Sequence, residues 1–489
     1  MTTFPRQRVR APRQTPVRQT PVRLAVELAV AADRHAPLPL TGQIAAQLRE
    51  ALADGRLAAG ERLPSTRALA AALSVSRTVV TAAYTQLFAE GWLEGRHGSG
   101  TYVAQGAARP FQPTPAQAAP PAATCAEPDP APAVNLWPGI PWQAGIDPAA
   151  WRRAWRHAGT DPVPARPDAR GRGALREALT GYLRRSRGLR ATADQIMVTR
   201  GVSAGLGLVA SALLRPGDRV GVEEPGYQAA RAVFASRGAR LVPCRVDRDG
   251  LVVEELPDDL RLVYTTPAHQ YPLGGRLPVP RRQALAAWAR ATGAIIVEDD
   301  YDGEFRYDVA PLPALFGLDP DVVIYLGTTS KTLTPALGAG WLVARRDLIP
   351  VLTAAAVELG ERVSGPVQRA VTELLASGQL ERHVRRMRHE YARRRAVMVA
   401  ALGGLTGDTA GMHMVLELPP GTATAVAAGA RQRGVEVATL DRYFAGPPTL
   451  EGLVLGYGAA DLAAVSRGCQ VIAEILAAAP GARGAGAAR

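Results

Sequence analysis

Lysine is almost absent from this sequence. Of the 57 cationic residues in 489, only Lys331 is lysine, and the other 56 are arginine. Aromatic residues make up 5% against 47% hydrophobic residues overall, so the core must be aliphatic. The three cysteines, Cys125, Cys244 and Cys469, are widely spaced and odd in number. That pattern argues against a disulfide framework or a metal site and fits a reducing cytoplasm. No apolar run approaches the roughly 18 residues of a membrane span. Residues 1–23 contain six arginines and no acid, but no apolar stretch of the secretory kind follows. The expected location is cytoplasmic, with no membrane partner.

Charge is the next guide. The net charge is +13, and residues 1–110 hold 14 arginines against seven acids. Much of that excess lies in the first segment, where "QTPVR" occurs twice in tandem (14–18 and 19–23). Residues 1–36 are expected to form a basic, disordered tail, and nucleic acid is a candidate partner. Residues 105–135 contain eight prolines and ten alanines in 31 positions and read as a linker.

The segment 37–104 has short helical patterns. Ile44, Leu48 and Leu52 recur at helical spacing. Ser65 and Ser76 stand where helices would start, and the second of these helices is predicted to bury Val80, Tyr84, Leu87 and Phe88. Two strand-like pieces around a glycine-rich turn follow at 92–104. Three helices and a hairpin predict a winged helix-turn-helix. Ser76, Arg77, Thr78 and Thr81 lie near the start of its third helix, where short or cationic groups reach base edges and phosphates. Arg67, Arg96 and His97 are placed to hold the flanking backbone. The segment itself has six arginines and five acids, so charge alone does not make it a DNA binder.

Residues 136–480 alternate apolar strand-like runs ("IMVT", "RVGVEE", "RLVYTT", "AIIVEDD", "VVIYLG") with helical patterns. Such runs predict a mostly parallel α/β sheet covered on both faces, with ligands at the carboxyl ends of the strands. Glycine and polar residues gather at those ends: Gly201 and Ser203; Asp299, Asp300 and Tyr301; Thr328, Ser330 and Lys331. Chance drift toward arginine could leave one stray lysine. So could a need for an amine, because a guanidinium cannot condense with an aldehyde.

Two stretches carry a family resemblance. "GERLPSTRALAAALSVSRTVVTAAYTQLFAEGWLEGRHGSGTYV" (60–103) resembles the GntR-type winged helix-turn-helix, which implies DNA contacts from Arg67, Arg77, Thr78, His97 and Gly98. "TPAHQYPLGGRLPVPRR" (266–282), "VEDDYDGEF" (297–305) and "GTTSKTLTPAL" (327–337) resemble the MocR/GabR regulators, in which a GntR head is fused to a fold-type I aminotransferase-like body. The resemblance spans about residues 37–475. It implies pyridoxal 5'-phosphate as cofactor, Lys331 as its Schiff-base residue and Asp299 at the pyridine nitrogen. It also implies Tyr301 at the phenolic oxygen, Tyr227 on the ring face, and Thr328 and Ser330 at the phosphate, beside the loop Gly201, Val202 and Ser203. It implies a transcriptional regulator of operator DNA, with the cofactor or an amino acid or amine as effector, and a domain-swapped homodimer. An active aminotransferase carrying a DNA-binding head, or a body that only dimerises, are the alternatives. Three positions depart from the pattern. Gly338 stands where relatives have a phosphate-binding arginine. Arg200 precedes the phosphate loop and is expected to replace that guanidinium. "GLVLGYG" (452–458) lacks the arginine that grips a substrate carboxylate.

Overall fold

A computed structural model of the chain describes residues 22–23, 29–96, 100–105, 133–160, 166–309 and 312–478. The chain divides into two compact units, residues 1–127 and 128–489. Residues 1–21 of the expected tail and 106–132 of the expected linker, with Cys125, lie outside the described residues.

The first unit holds helices Leu40–Ala53, Thr66–Ala72 and Arg77–Ala89 and the antiparallel pair Leu93–Arg96 and Gly100–Val103. The hydroxyl of Ser65 accepts from the Ala68 N–H at 3.2 Å, and that of Ser76 accepts from the Val79 N–H at 3.4 Å. Each serine thus satisfies a free donor of the helix it starts. Ile44, Leu48, Leu52, Leu69, Val80, Tyr84 and Leu87 close one aliphatic core. Phe88, predicted to join it, is 38% exposed, because the buried stripe turns through Leu87 and leaves Phe88 on the rim.

The second unit is built on an eight-stranded sheet. Val323–Thr328, Ile295–Asp300, Leu262–Thr265, Arg219–Glu224 and Arg240–Asp247 pair in parallel in that order. Gly340–Val343 runs antiparallel between Val323–Thr328 and Ile196–Thr199, and Gly250–Leu251 forms a hairpin at the far edge. The central strands are buried along their whole length, which is why they read as continuous apolar runs. On one face Leu206, Val209, Phe234 and Leu352 pack from three helices. On the other, Leu179, Leu183, Leu285 and Leu374 do so. A second, four-stranded antiparallel sheet (405–406, 413–417, 452–456, 438–439) follows near the end. The sequence reading did not resolve it, because its strands are short and its turns are glycine-rich.

Ser74, between the second and third helices of the first unit, has φ 53°, the one described non-glycine residue at positive φ. A side chain in that conformation costs energy that glycine avoids, partly offset by glycine's greater freedom in the unfolded chain. Ser74→Gly should therefore stabilise this turn by about 0.5 kcal/mol. The check is amide hydrogen exchange of the Arg77–Ala89 helix in the full chain, which should slow about twofold.

Candidate functional site

The carboxyl ends of the parallel strands open into a cavity of about 240 Å³. Gly201, Val202, Ser203, Tyr227, Asp299, Tyr301, Thr328, Ser330 and Lys331 all line it, so the residues singled out from four separate stretches meet at one place. Gly139, Tyr264, Thr266, Tyr271 and Pro335 complete the wall together with Arg200. Tyr271 lies inside a quoted motif; Gly139 is brought in from a distant loop and carries no local signal.

Each wall has a distinct character. Gly201 (φ 93°) caps the helix Val202–Leu213, whose first N–H groups receive no side-chain cap. A Cβ on Gly201 would lie 3.8 Å from Thr328 Oγ1 and 4.0 Å from Ser330 Oγ, so this helix start and the two hydroxyls surround one spot. Free N–H groups with the helix dipole behind them form an anion cradle. Lys331 Nζ donates to the Gly139 carbonyl at 2.7 Å. Burial pushes the Lys331 amine below its ordinary value, against the pull of Asp302 and Asp299. A depressed amine is a better nucleophile near neutral pH. Tyr227 stands edge-on to Tyr271, with centroids 5.9 Å apart.

Asp299 is the acidic pole. Its Oδ2 accepts from Tyr264 Oη at 2.6 Å, while Oδ1 is buried without a partner. Burial pushes this carboxyl up to about 7, with the Tyr264 hydrogen bond opposing. Its neighbours face elsewhere. Glu298 accepts from the N–H groups of Leu315 (2.8 Å) and Phe316 (3.0 Å), and Asp300 pairs with Arg187. The motif "HQYP" is likewise divided. His269 Nδ1 lies 3.0 Å from both Tyr301 Oη and Asp302 Oδ2. Gln270 donates to the buried Glu223 (3.2 Å), Tyr271 lines the cavity, and the Pro272 carbonyl meets His413.

In the first unit, Arg67, Ser76, Arg77, Thr78 and Thr81 are all exposed. The Arg77 Nε donates to Thr66 Oγ1 at 3.2 Å, which ties the recognition-helix start to the preceding helix. Arg96 pairs with Glu94 and covers the Tyr102 ring at 4.7 Å. His97 and Gly98 lie outside the described residues.

Residues 40–103 match the bacterial regulatory proteins of the gntR family, and residues 141–445 match aminotransferase class I and II. The chain is 37% identical to the HTH-type pyridoxine biosynthesis transcriptional regulator PdxR of Corynebacterium glutamicum, across 90% of this chain and 96% of that one. It is 35% identical to the probable rhizopine catabolism regulatory protein MocR of Rhizobium meliloti, across 88% and 92%. The chain belongs to the MocR/PdxR-type helix-turn-helix transcriptional regulators. Its body is similar to LysN, an α-aminoadipate aminotransferase of Thermus thermophilus solved with N-(5'-phosphopyridoxyl)-L-leucine. That likeness has TM-score 0.64 and 26% identity and covers 70% of this chain and 91% of that one.

Arg200, expected to grip a phosphate in place of the missing arginine, lines the cavity beside the loop, but its side chain is 56% exposed and its guanidinium is held two-pronged by Glu361, with Nε to Oε2 at 2.6 Å. Among the residues lining the cavity it is the one guanidinium, and Glu361 claims it. Gly338, by contrast, does not line the cavity. It sits at φ 51° at the end of a short 3-10 turn, a conformation that arginine would strain to adopt.

Arg200→Ala should therefore change the apparent Kd for pyridoxal 5'-phosphate by less than about fivefold, because an exposed pair contributes about 1 kcal/mol or less. A titration of cofactor-free protein measures it. A loss of tenfold or more would return Arg200 to the phosphate.

Proposed function

We propose that this regulator reads pyridoxal 5'-phosphate, or a compound condensing with it, in the body and binds operator DNA through its winged helix. Pyridoxal 5'-phosphate supplies an aldehyde for an amine, a protonatable ring nitrogen, a phenolic oxygen and a phosphate. The chain's residues fit these four parts. Lys331 offers the amine, with its proton affinity lowered by burial. The unpartnered Oδ1 of Asp299 offers an acceptor to the ring N–H. Tyr301 stands for the phenolic oxygen, and Tyr227 for the ring face. The helix start at Gly201, with Thr328 and Ser330, receives the phosphate without any guanidinium.

The observation that carries this reading is the pair Lys331 and Asp299. A half-buried amine and a buried carboxyl with one empty oxygen line the same cavity. Burying such groups is costly unless something completes them. The sequence has one lysine, and it stands here. Among the described residues that line the cavity, the one arginine is Arg200, paired with Glu361, so none is left to hold a substrate carboxylate, which favours a sensor over a working transaminase. The setting of this activity is cytoplasmic; no helix among the described residues is long and apolar enough to cross a membrane. Residues 37–104 serve as the DNA-binding domain, 105–135 as linker and 136–480 as the cofactor-binding domain, and the working form is a domain-swapped homodimer.

Borohydride reduction of the loaded protein followed by digestion should leave one pyridoxyl-modified peptide, the one containing Lys331. Lys331→Arg keeps the charge and should abolish both that label and the visible absorbance. DNA binding should stay within about tenfold, since the first unit closes its own core. A visible band persisting in Lys331→Arg would refute the cofactor reading.

At the DNA, Arg77→Ala should cost about 1–3 kcal/mol on the cognate operator and much less on scrambled sequence. Arg67→Ala should weaken both alike and reduce the salt dependence. Binding isotherms over a salt series separate the two roles. Equal losses on both sequences for Arg77→Ala would remove it from base readout.

A further inference from the structure

Beside the cofactor cavity lies a buried cluster that neither the fold nor the proposed ligand contacts use. His269, Asp302 and His413 place ligating atoms within 4.8 Å of one another, and the two imidazole rings are 4.9 Å apart, tilted by 51°. All three side chains are buried, and each keeps one polar atom without a partner: His269 Nε2, His413 Nδ1 and Asp302 Oδ1.

Hydrogen-bond chemistry assigns the protons. His413 Nε2 lies 2.9 Å from the Pro272 carbonyl. A carbonyl only accepts, so Nε2 carries the hydrogen. Burial, and then His269, hold His413 well below its ordinary value, so its Nδ1 is bare near neutral pH. His269 Nδ1 lies 3.0 Å from Asp302 Oδ2 and 3.0 Å from Tyr301 Oη. A carboxylate oxygen also only accepts, so Asp302 places a hydrogen on His269 Nδ1, whether the ring is neutral or charged. Nδ1 then has no lone pair to offer Tyr301. The Tyr301 oxygen can receive from it, and the tyrosine's own hydrogen must point elsewhere. Tyr301 lines the cofactor cavity, so the cavity is where it points. Were Nδ1 bare, the hydroxyl would donate backward and show the cavity only a lone pair.

We propose that His269, oriented by Asp302, is a positioning residue that makes the Tyr301 hydroxyl a hydrogen-bond donor into the cofactor cavity. The proposal rests on the cavity taking pyridoxal 5'-phosphate, whose phenolic oxygen would receive that hydrogen. Charged and titratable groups face this pair from every side. Asp299, Asp302, Glu223 and Tyr271 lie around Tyr301, Lys331 stands on the cavity side, and His413 packs against the His269 ring. Arg187 and Arg306 stand behind Asp302 and His269.

The experiment is a pH titration of the visible cofactor absorbance in full-length protein loaded with pyridoxal 5'-phosphate. A hydrogen bond donated to the phenolic oxygen favours the form in which that oxygen carries full negative charge, which is the deprotonated form. Its loss should raise the midpoint. Tyr301→Phe should raise it by about one pH unit, and Asp302→Asn, which frees His269 Nδ1 to accept from Tyr301, should shift it in the same direction. His269→Leu removes the acceptor as well as the donor, leaves the hydroxyl free to face the cavity, and should keep a midpoint closer to wild type than Asp302→Asn does. Asp302→Asn added to Tyr301→Phe should produce no further shift, because His269 acts through that hydroxyl. A wild-type midpoint in Asp302→Asn, a shift in His269→Leu as large as that in Tyr301→Phe, or an additive shift in the double variant would overturn the proposal. So would one equivalent of divalent metal retained by the purified protein and lost in His413→Leu, since a cation would then occupy the cluster. If wild type develops no visible band, the cofactor reading fails instead, and this proposal with it.

Discussion

A buried guanidinium organises the end of the strand on which the cavity depends. Arg187 is 1% exposed and grips both oxygens of Asp300, while the Tyr325 hydroxyl donates to Asp300 at 2.7 Å. A third donor of Arg187 reaches the Gly303 carbonyl at 2.9 Å, just past Tyr301 and Asp302. Buried ion pairs are tolerable only when their remaining donors and acceptors are met, and breaking one typically costs about 3–5 kcal/mol. This pair meets that condition and clamps both sides of Tyr301. Asp300 is thereby turned away from the cavity. Side chains alternate along a strand, so Asp299 is turned toward it.

Three consecutive carboxyls on one strand thus have three fates. Glu298 caps a short helical turn, Asp300 closes an ion pair, and Asp299 keeps one oxygen free in the cavity. Burial holds both Glu298 and Asp299 at about 7. For Glu298 the two backbone donors make that burial a structural arrangement. For Asp299 the empty oxygen leaves it incomplete until a ligand donates. In the function proposed above, ligand binding would complete this buried polar group.

Much of the site was legible because its residues are chemically singular. One lysine in an arginine-rich chain is a signal in itself. Glycine before a helix and hydroxyls after a strand are signals of anion binding by type and place. Tyr264 and Gly139 were not legible. Tyr264 reaches Asp299 from a neighbouring strand in register with Val297, and Gly139 meets Lys331 from 192 positions away. The pairing of Arg200 with Glu361 was not legible either, because its place in the chain predicts its backbone and not its partner. A long flexible side chain at a rim goes to the strongest available counter-charge, and here that is Glu361, far away in sequence.

The sequence by itself determined the two units, the mostly parallel sheet, the capped helices of the winged domain and the place of the one lysine. These follow from periodicity, capping and side-chain chemistry, which are local properties. Only the tertiary structure decided which carboxyl of "EDD" faces the cavity, where Arg200 spends its charge and which groups the His269 ring meets. Each of those depends on a partner supplied by a distant segment, Arg187, Glu361 or the fold around Asp302. Burial makes such partnerships compulsory without revealing them in the order of residues.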